Sequence, residues 1–241
     1  MIKIVKLHKS FRGQEVLRGV DLEIPAGGIT VILGASGQGK TVLLKHLIGL
    51  LRPDRGQVWV GGTELTALDE HPLNDFRKKF GMLFQSGALF DSLSVGENVA
   101  FPLREHTTLA DGEIRRRVRE KLDQVGLPGT EEKMPAELSG GMRKRVGLAR
   151  AIALQPSIIL YDEPTTGLDP LITASINRLV VETQRRLKAT SVIISHDIES
   201  TFAIADRVAM LHEGRIVAEG TPEQFRNSPH PYVKEFLSAG P

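Results

Sequence analysis

Hydrophobic and polar positions largely alternate from the start of the chain. Ile2 to Leu7 and Val16 to Ile24 follow a two-residue rhythm, and Arg12-Gly13-Gln14 between them supplies turn chemistry. The pattern predicts an antiparallel β unit. Ile29-Thr30-Val31-Ile32-Leu33 is a short apolar run that ends at a glycine cluster, as a buried parallel strand does. A helix is predicted from Lys40 to Leu50, stopped by Pro53. Gln57 to Val60, with Gly61-Gly62 as the turn after it, and Phe80 to Phe84 are further strand candidates.

The rhythm turns helical between about Leu93 and Leu154. Asp111 is placed to cap a helix whose Ile114, Val118, Leu122 and Val125 share one face. Arg115, Arg116, Arg117, Arg119 and Lys121 fall on the other face, which reads as solvated surface or as a contact for a partner or lipid headgroups. Strands at Ser157 to Tyr161 and Ser191 to Ser195 then flank a helix from Leu171 to Lys188. This βαβ rhythm implies an α/β fold with a mostly parallel sheet. Arg207 to Leu211 and Arg215 to Glu219 surround a Glu213-Gly214 turn, and short helices follow near Glu223 and Val233.

Composition narrows the function classes. Of 241 residues, 31 are Lys or Arg and 29 are Asp or Glu, so the net charge of +2 gives little attraction for nucleic acid. The absence of cysteine excludes disulfides, thiol catalysis and Cys-based zinc sites. No run approaches the ~20 apolar residues that span a bilayer. The first six residues alternate apolar and basic side chains, which reads as a strand and not as a signal peptide. The chain is therefore expected in the cytosol, with any membrane role exercised through a partner.

Two segments carry recognisable chemistry. Gly34-Ala35-Ser36-Gly37-Gln38-Gly39-Lys40-Thr41 fits G-x-x-x-x-G-K-[ST] and sits after a predicted strand and before a predicted helix. In that setting backbone N–H groups and a helix N-terminus face phosphates, Lys40 supplies charge to the β- and γ-phosphates, and the Thr41 hydroxyl can ligate Mg²⁺. Ile158 to Glu163 is an apolar strand ending in two acids. Asp162 is placed to hold Mg²⁺ and Glu163 to act as general base on a water attacking the γ-phosphate.

A phosphate loop alone fits many NTPases. Leu138-Ser139-Gly140-Gly141-Met142, upstream of Asp162-Glu163, makes the chain resemble the ATP-binding-cassette (ABC) family, whose signature is usually LSGGQ. The resemblance covers essentially the whole chain. It implies a P-loop NTPase fold over residues 1–241, with an N-terminal antiparallel β subdomain and a helical subdomain at about 88–155 inserted in the core. It also implies a homodimer in which Ser139, Gly140 and Gly141 of one copy face the ATP bound to the other. Gln85 resembles the glutamine that senses Mg²⁺ and the attacking water, Asp169 the loop that contacts the opposite copy, and His196 the switch histidine at the γ-phosphate. Phe11 stands where the family often has a Tyr stacked on adenine; the alternative is that it packs into the β subdomain.

Met142 departs from the usual Gln, and it comes with companions. Thr41 to Leu50, Leu83 to Leu93, Glu97 to Glu105, Ser139 to Val146 and Tyr161 to Pro170 together resemble the ATPase subunit of Mla-type (MCE-associated) phospholipid transport systems. Gly87, Ala88, Leu89, Phe90 and Leu93 are apolar for a surface loop, so they either receive a cytoplasmic helix of a permease or pack the helical lobe. The resemblance further implies a multipass permease, an MCE-domain lipid-binding protein, a small STAS-like subunit on the helical lobe, and a place on the cytoplasmic face of the inner membrane. Longer C-terminal tails in this branch embrace the neighbouring subunit; this chain ends soon after Phe236-Leu237, so that embrace is not expected. The readings left behind are the ATPase of an organic-solvent or small-solute transporter, and a non-transport cassette acting on DNA or ribosomes. The last lacks support, because Ser139 follows Lys40 by only 99 positions and the stretch holds no sustained heptads.

Overall fold

A computed structural model of the chain describes residues 1–239. In chain order the elements are β1 (Ile2–Phe11), β2 (Gln14–Ile24), β3 (Ile29–Leu33), α1 (Lys40–Leu47), β4 (Arg55–Val60), β5 (Thr63–Glu64), α2 (Glu70–Arg77), β6 (Phe80–Leu83), α3 (Val95–His106) and α4 (Asp111–Gln124). They continue with α5 (Gly140–Ala151), β7 (Ile158–Asp162), α6 (Pro170–Leu187), β8 (Thr190–Ser195), α7 (Ile198–Ile204), β9 (Arg207–His212), β10 (Arg215–Gly220), α8 (Pro222–Arg226) and α9 (Pro231–Ser238). The chain divides into two compact units, one of residues 1–77 with the segment from Thr190 onward, the other of Lys78–Ala189.

In the first unit β2, β1, β4 and β5 form an antiparallel sheet. Its alternation is only partial because β1 slips register between Ile4 and Leu7 and again after Lys9, which blurs the two-residue rhythm. In the same unit β3 pairs in parallel with both β8 and β9, and β9 pairs antiparallel with β10. Every residue of β3 and β8 is buried, which explains why both read as continuous apolar runs. In the second unit β6 and β7 pair in parallel, Phe80 opposite Ile158 through Leu83 opposite Tyr161. The α/β class with a mostly parallel core and an N-terminal antiparallel sheet is therefore present.

Several boundaries differ from the sequence expectation for identifiable reasons. α1 ends at Leu47 rather than Leu50, because Gly49 takes φ 69° and its N–H bonds back to His46 O, closing the helix. Asp111 is the first residue of α4 and does not cap it; Ala110 holds the cap position without a side-chain bond. Lys121 is not on the solvated face but buried, and that burial pulls its ammonium pKa down. On the same helix Glu113 binds both Arg116 and Arg117, which hold its carboxyl down at about 2. The helices α2 and α7 had no counterpart in the apolar rhythm, since each buries only one or two side chains.

Candidate functional site

In the first unit, β3 delivers the chain into Gly34 with no exposed residue before it. A side chain at Gly34 would stand 2.5 Å from the Leu211 carbonyl, so only glycine fits where the strand opens into the loop. Gly39 takes φ 93° as the residue before α1, a left-handed conformation that turns the loop into the helix. Lys40 is buried, and its ammonium donates to Gly34 O at 2.8 Å and Ala35 O at 3.1 Å. These bonds run the side chain back across the loop. Gln38 projects outward and its Oε1 accepts from the Glu213 N–H at 2.7 Å.

His196 follows β8 directly and is exposed. The next residue, Asp197, caps α7 by accepting from the Ser200 N–H and hydroxyl, so the histidine sits at a capped strand-to-helix junction. Phe11 ends β1 with 41% of its surface exposed, and the Lys9 ammonium lies 5.5 Å from its ring centre. The ring is thus presented outward and is not part of the β core.

In the second unit, β7 carries five buried residues and ends at Asp162. Glu163 then adopts φ 45°, which takes its side chain out of the strand's alternation. A non-glycine residue held there is a strained position, and such strain gathers at sites that need one fixed geometry. The means of holding it are visible. The Glu163 carbonyl accepts from the Lys144 ammonium at 3.1 Å and from the Thr166 N–H at 3.3 Å. Its carboxylate Oε2 accepts from the Thr166 hydroxyl at 3.0 Å and the Gln85 amide at 3.5 Å. Gln85 and the nearby Thr166 therefore meet on the carboxylate, while Lys144 holds the backbone carbonyl of the same residue. Lys144 is itself buried; burial lowers its pKa against the opposing pull of Glu163 and Asp162.

The Ser139-Gly140-Gly141 segment opens α5. Ser139 Oγ accepts from the Met142 N–H at 3.3 Å, and because the backbone makes this bond, the departure from Gln leaves the helix start intact. The remaining N-terminal N–H groups carry the positive end of the helix dipole. A side chain at Gly141 would meet Ile172 at 2.8 Å, so the start of α6 closes over it. Asp169 caps α6, its Oδ1 accepting from the Leu171 and Ile172 N–H groups at 3.0 Å each.

After Gln85 the loop is held by Asn98, fully buried on α3. Its amide donates to the carbonyls of Phe90, Leu93 and Ser94 and accepts from the Phe90 N–H. Phe90 and Phe101 stay exposed with ring centres 4.9 Å apart. Gly87 is buried, as packing of the helical lobe requires, while Ala88 and Phe90 are exposed.

The sequence alone assigns no role of their own to Lys144, Thr166 or Asn98. Lys144 leaves a trace: it shares a helix face with Gly141 and Leu148, positions that are otherwise small or apolar, so a cation there must be buried. Thr166 and Asn98 leave none.

A profile of the ABC transporter family matches residues 17–166, more than half of the chain. The chain belongs to the ABC transporter family. It is an ATPase of that family and binds nucleotide. The chain is 46% identical over 98% of its length to the probable ribonucleotide transport ATP-binding protein mkl of Mycobacterium leprae, 68% of which it covers. It is 45% identical over 94% of its length to the intermembrane phospholipid transport system ATP-binding protein MlaF of Haemophilus influenzae, 86% of which it covers. The chain spans about two thirds of the length of the mycobacterial relatives it matches. Among solved structures, the dimeric cassette MJ0796 in a post-hydrolysis state bound to ADP and Pi aligns at TM-score 0.85 and 31% identity, covering 92% of this chain and 99% of that one. Among the described residues of this cassette no helix is long and apolar enough to cross a membrane.

Proposed function

We propose that this cassette hydrolyses Mg²⁺-ATP as a homodimer and thereby drives phospholipid movement through a multipass permease. The observation that carries the chemistry is Glu163, held at φ 45° with its carbonyl bonded by Lys144 and its carboxylate by Gln85 and Thr166. A carboxylate fixed in this way can take the proton from water as its oxygen attacks the γ-phosphorus and the bond to the ADP oxygen breaks. Lys40 and the loop N–H groups hold the phosphates, His196 contacts the γ-phosphate, and Phe11 stacks on adenine. Ser139, Gly140, Gly141 and Asp169 serve the ATP of the second copy, so hydrolysis waits for the dimer to close.

The donor set suits Mg²⁺. Asp162 offers a carboxylate, Thr41 a hydroxyl and Gln85 an amide oxygen, all hard oxygen ligands. No cluster of three or more His, Asp or Glu side chains gathers as a metal cage among the described residues, and Mg²⁺ needs none when phosphates and water complete its shell. Bound there, the ion would neutralise charge on the β- and γ-phosphate oxygens.

The transport reading rests on the 45% identity to MlaF across nearly the whole chain. The exposed Phe90–Phe101 pair, braced from below by Asn98, is the surface offered to a cytoplasmic helix of the permease. A groove of about 810 Å³ between α3 and α4, with Arg104, Arg115 and Arg119 on its rim, is where a small STAS-like subunit would bind. An MCE-domain protein would handle lipid beyond the permease, placing this subunit on the cytoplasmic face of the inner membrane. The second reading, ribonucleotide transport, is favoured by the 46% identity to the mycobacterial protein and leaves the ATPase chemistry unchanged.

The test is to purify tagged Glu163→Gln protein from detergent-solubilised membranes and identify what accompanies it by mass spectrometry. A permease with an MCE-domain protein and phospholipid is the expected result. A different permease, or one carrying no phospholipid, would overturn the lipid reading and leave the ATPase standing.

A further inference from the structure

Gln38 lies between Gly37 and Gly39, which take φ 80° and 93°. Two such glycines, one on each side of Gln38, leave the outer part of the phosphate loop with little intrinsic rigidity. The Gln38 side chain compensates by bonding to the Glu213 N–H. That N–H belongs to the tight turn between β9 and β10, where Glu213 and Gly214 take φ 46° and 74°. The turn is anchored on its other side, since Gly214 O accepts from the Arg18 N–H at 2.8 Å and a side chain at Gly214 would meet Val16 O at 2.5 Å.

The residue that leads into this turn is His212. Its ring stacks on Tyr232 with centres 3.4 Å apart and planes 17° from parallel. Its Nδ1 is buried with no hydrogen-bond partner, so stacking, not a bond at that atom, orients the ring on that side. Tyr232 is in the first turn of α9, beside Val233, which is fully buried, and 6.1 Å from the Phe236 ring. The chain of contacts runs from α9 through Tyr232 and His212 to Glu213, and from there to Gln38. None of the first three residues belongs to a nucleotide motif.

We propose that α9 clamps the phosphate loop through the β9–β10 turn, so that Tyr232 and His212 are positioning residues that set the tightness of ATP binding without touching ATP. The clamp deepens the proposed function, resting on Gly34 to Thr41 as the phosphate site. It gives the C-terminal helix a role in nucleotide affinity, and anything that lifts α9 would weaken ATP binding.

The experiment is equilibrium titration of the full chain with a fluorescent ATP analogue in Mg²⁺, using wild type, Tyr232→Ala, Tyr232→Phe, Gln38→Ala and the Tyr232→Ala/Gln38→Ala double variant. Tyr232→Ala and Gln38→Ala should each raise Kd about three- to tenfold, in line with the loss of one stacked ring or one short hydrogen bond. Tyr232→Phe keeps the ring and should return Kd to within about twofold of wild type. The double variant should be no weaker than the weaker single one, because both cut the same path. Wild-type affinity in Tyr232→Ala, or losses that multiply in the double variant, would overturn the clamp. Tyr232→Leu keeps apolar bulk under α9 and carries the same test if Tyr232→Ala unfolds. Lys40→Ala separates the two layers: loss of binding there alongside intact binding in Tyr232→Ala sinks only the clamp. Undiminished binding in Lys40→Ala sinks the phosphate-loop reading as well.

Discussion

Gly34 to Thr41 takes its shape from its own backbone, through glycines at positions where a side chain would collide or a left-handed turn is needed, and through a lysine folded onto the loop's own carbonyls. Glu163 takes its shape from elsewhere. Gln85, Lys144 and Thr166 reach it from a strand end, from α5 and from the following turn. The first arrangement is mostly local in sequence, with one distant tie from Gln38 to the Glu213 N–H. The second depends on tertiary packing, so it can respond when α5 or the glutamine loop moves. In the proposed mechanism the phosphate-binding part is held mainly by its own loop, and the part that would position the attacking water depends on tertiary packing.

Each expected effect can break or sharpen that contrast. The largest is Lys40→Ala, which should weaken ATP binding by at least about 100-fold in calorimetric titration, since a charge-assisted contact to phosphate is lost. Retained affinity would sink the phosphate-loop reading. Next is Asn98→Ala, which removes the side-chain donor from three part-buried carbonyls, two of which keep a backbone donor, and should cost about 2 kcal/mol in urea unfolding. An unchanged midpoint would show that the loop after Gln85 holds itself, contrary to the contrast drawn. Lys144→Met should cut turnover about tenfold and leave ATP affinity within about twofold, because it releases Glu163 without touching the phosphate loop. If affinity fell as much as turnover, the two arrangements would not be separable.

The smallest effect concerns pH. His46 on α1 is buried, and burial lowers its pKa below the unfolded value despite the bond from Nδ1 to Val42 O. The unfolded chain therefore takes up the proton first. The stability from neutral His46 is complete above about pH 6.5 and declines as pH falls through the lower folded pKa. Tm should drop between pH 7.5 and 5.5, and His46→Gln should flatten that slope. An equal slope in the variant would assign the effect to other groups.

How much of this was legible in the sequence follows the same division. The phosphate loop, β3, β7 and the Ser139-Gly140-Gly141 helix start can be read directly, because their chemistry lies within a few consecutive residues. The exposed setting of Phe11 could not be read, since the register slips in β1 hide which face each side chain takes. Nor could Thr166 or Asn98, polar residues whose importance comes only from the carbonyls and carboxylate that folding brings to them. Asp111 was misread as a cap because an acid at a helix start also suits the first turn, where it meets the dipole without bonding an N–H.

The account stands most directly on Glu163. ATP binding and steady-state hydrolysis should be measured side by side for wild type and Glu163→Gln. The account predicts unchanged affinity and a turnover lower by about 10²- to 10⁴-fold, the usual worth of a general base. Hydrolysis at the wild-type rate would contradict the assignment of Glu163 and with it the reading of the packing-dependent half of the site.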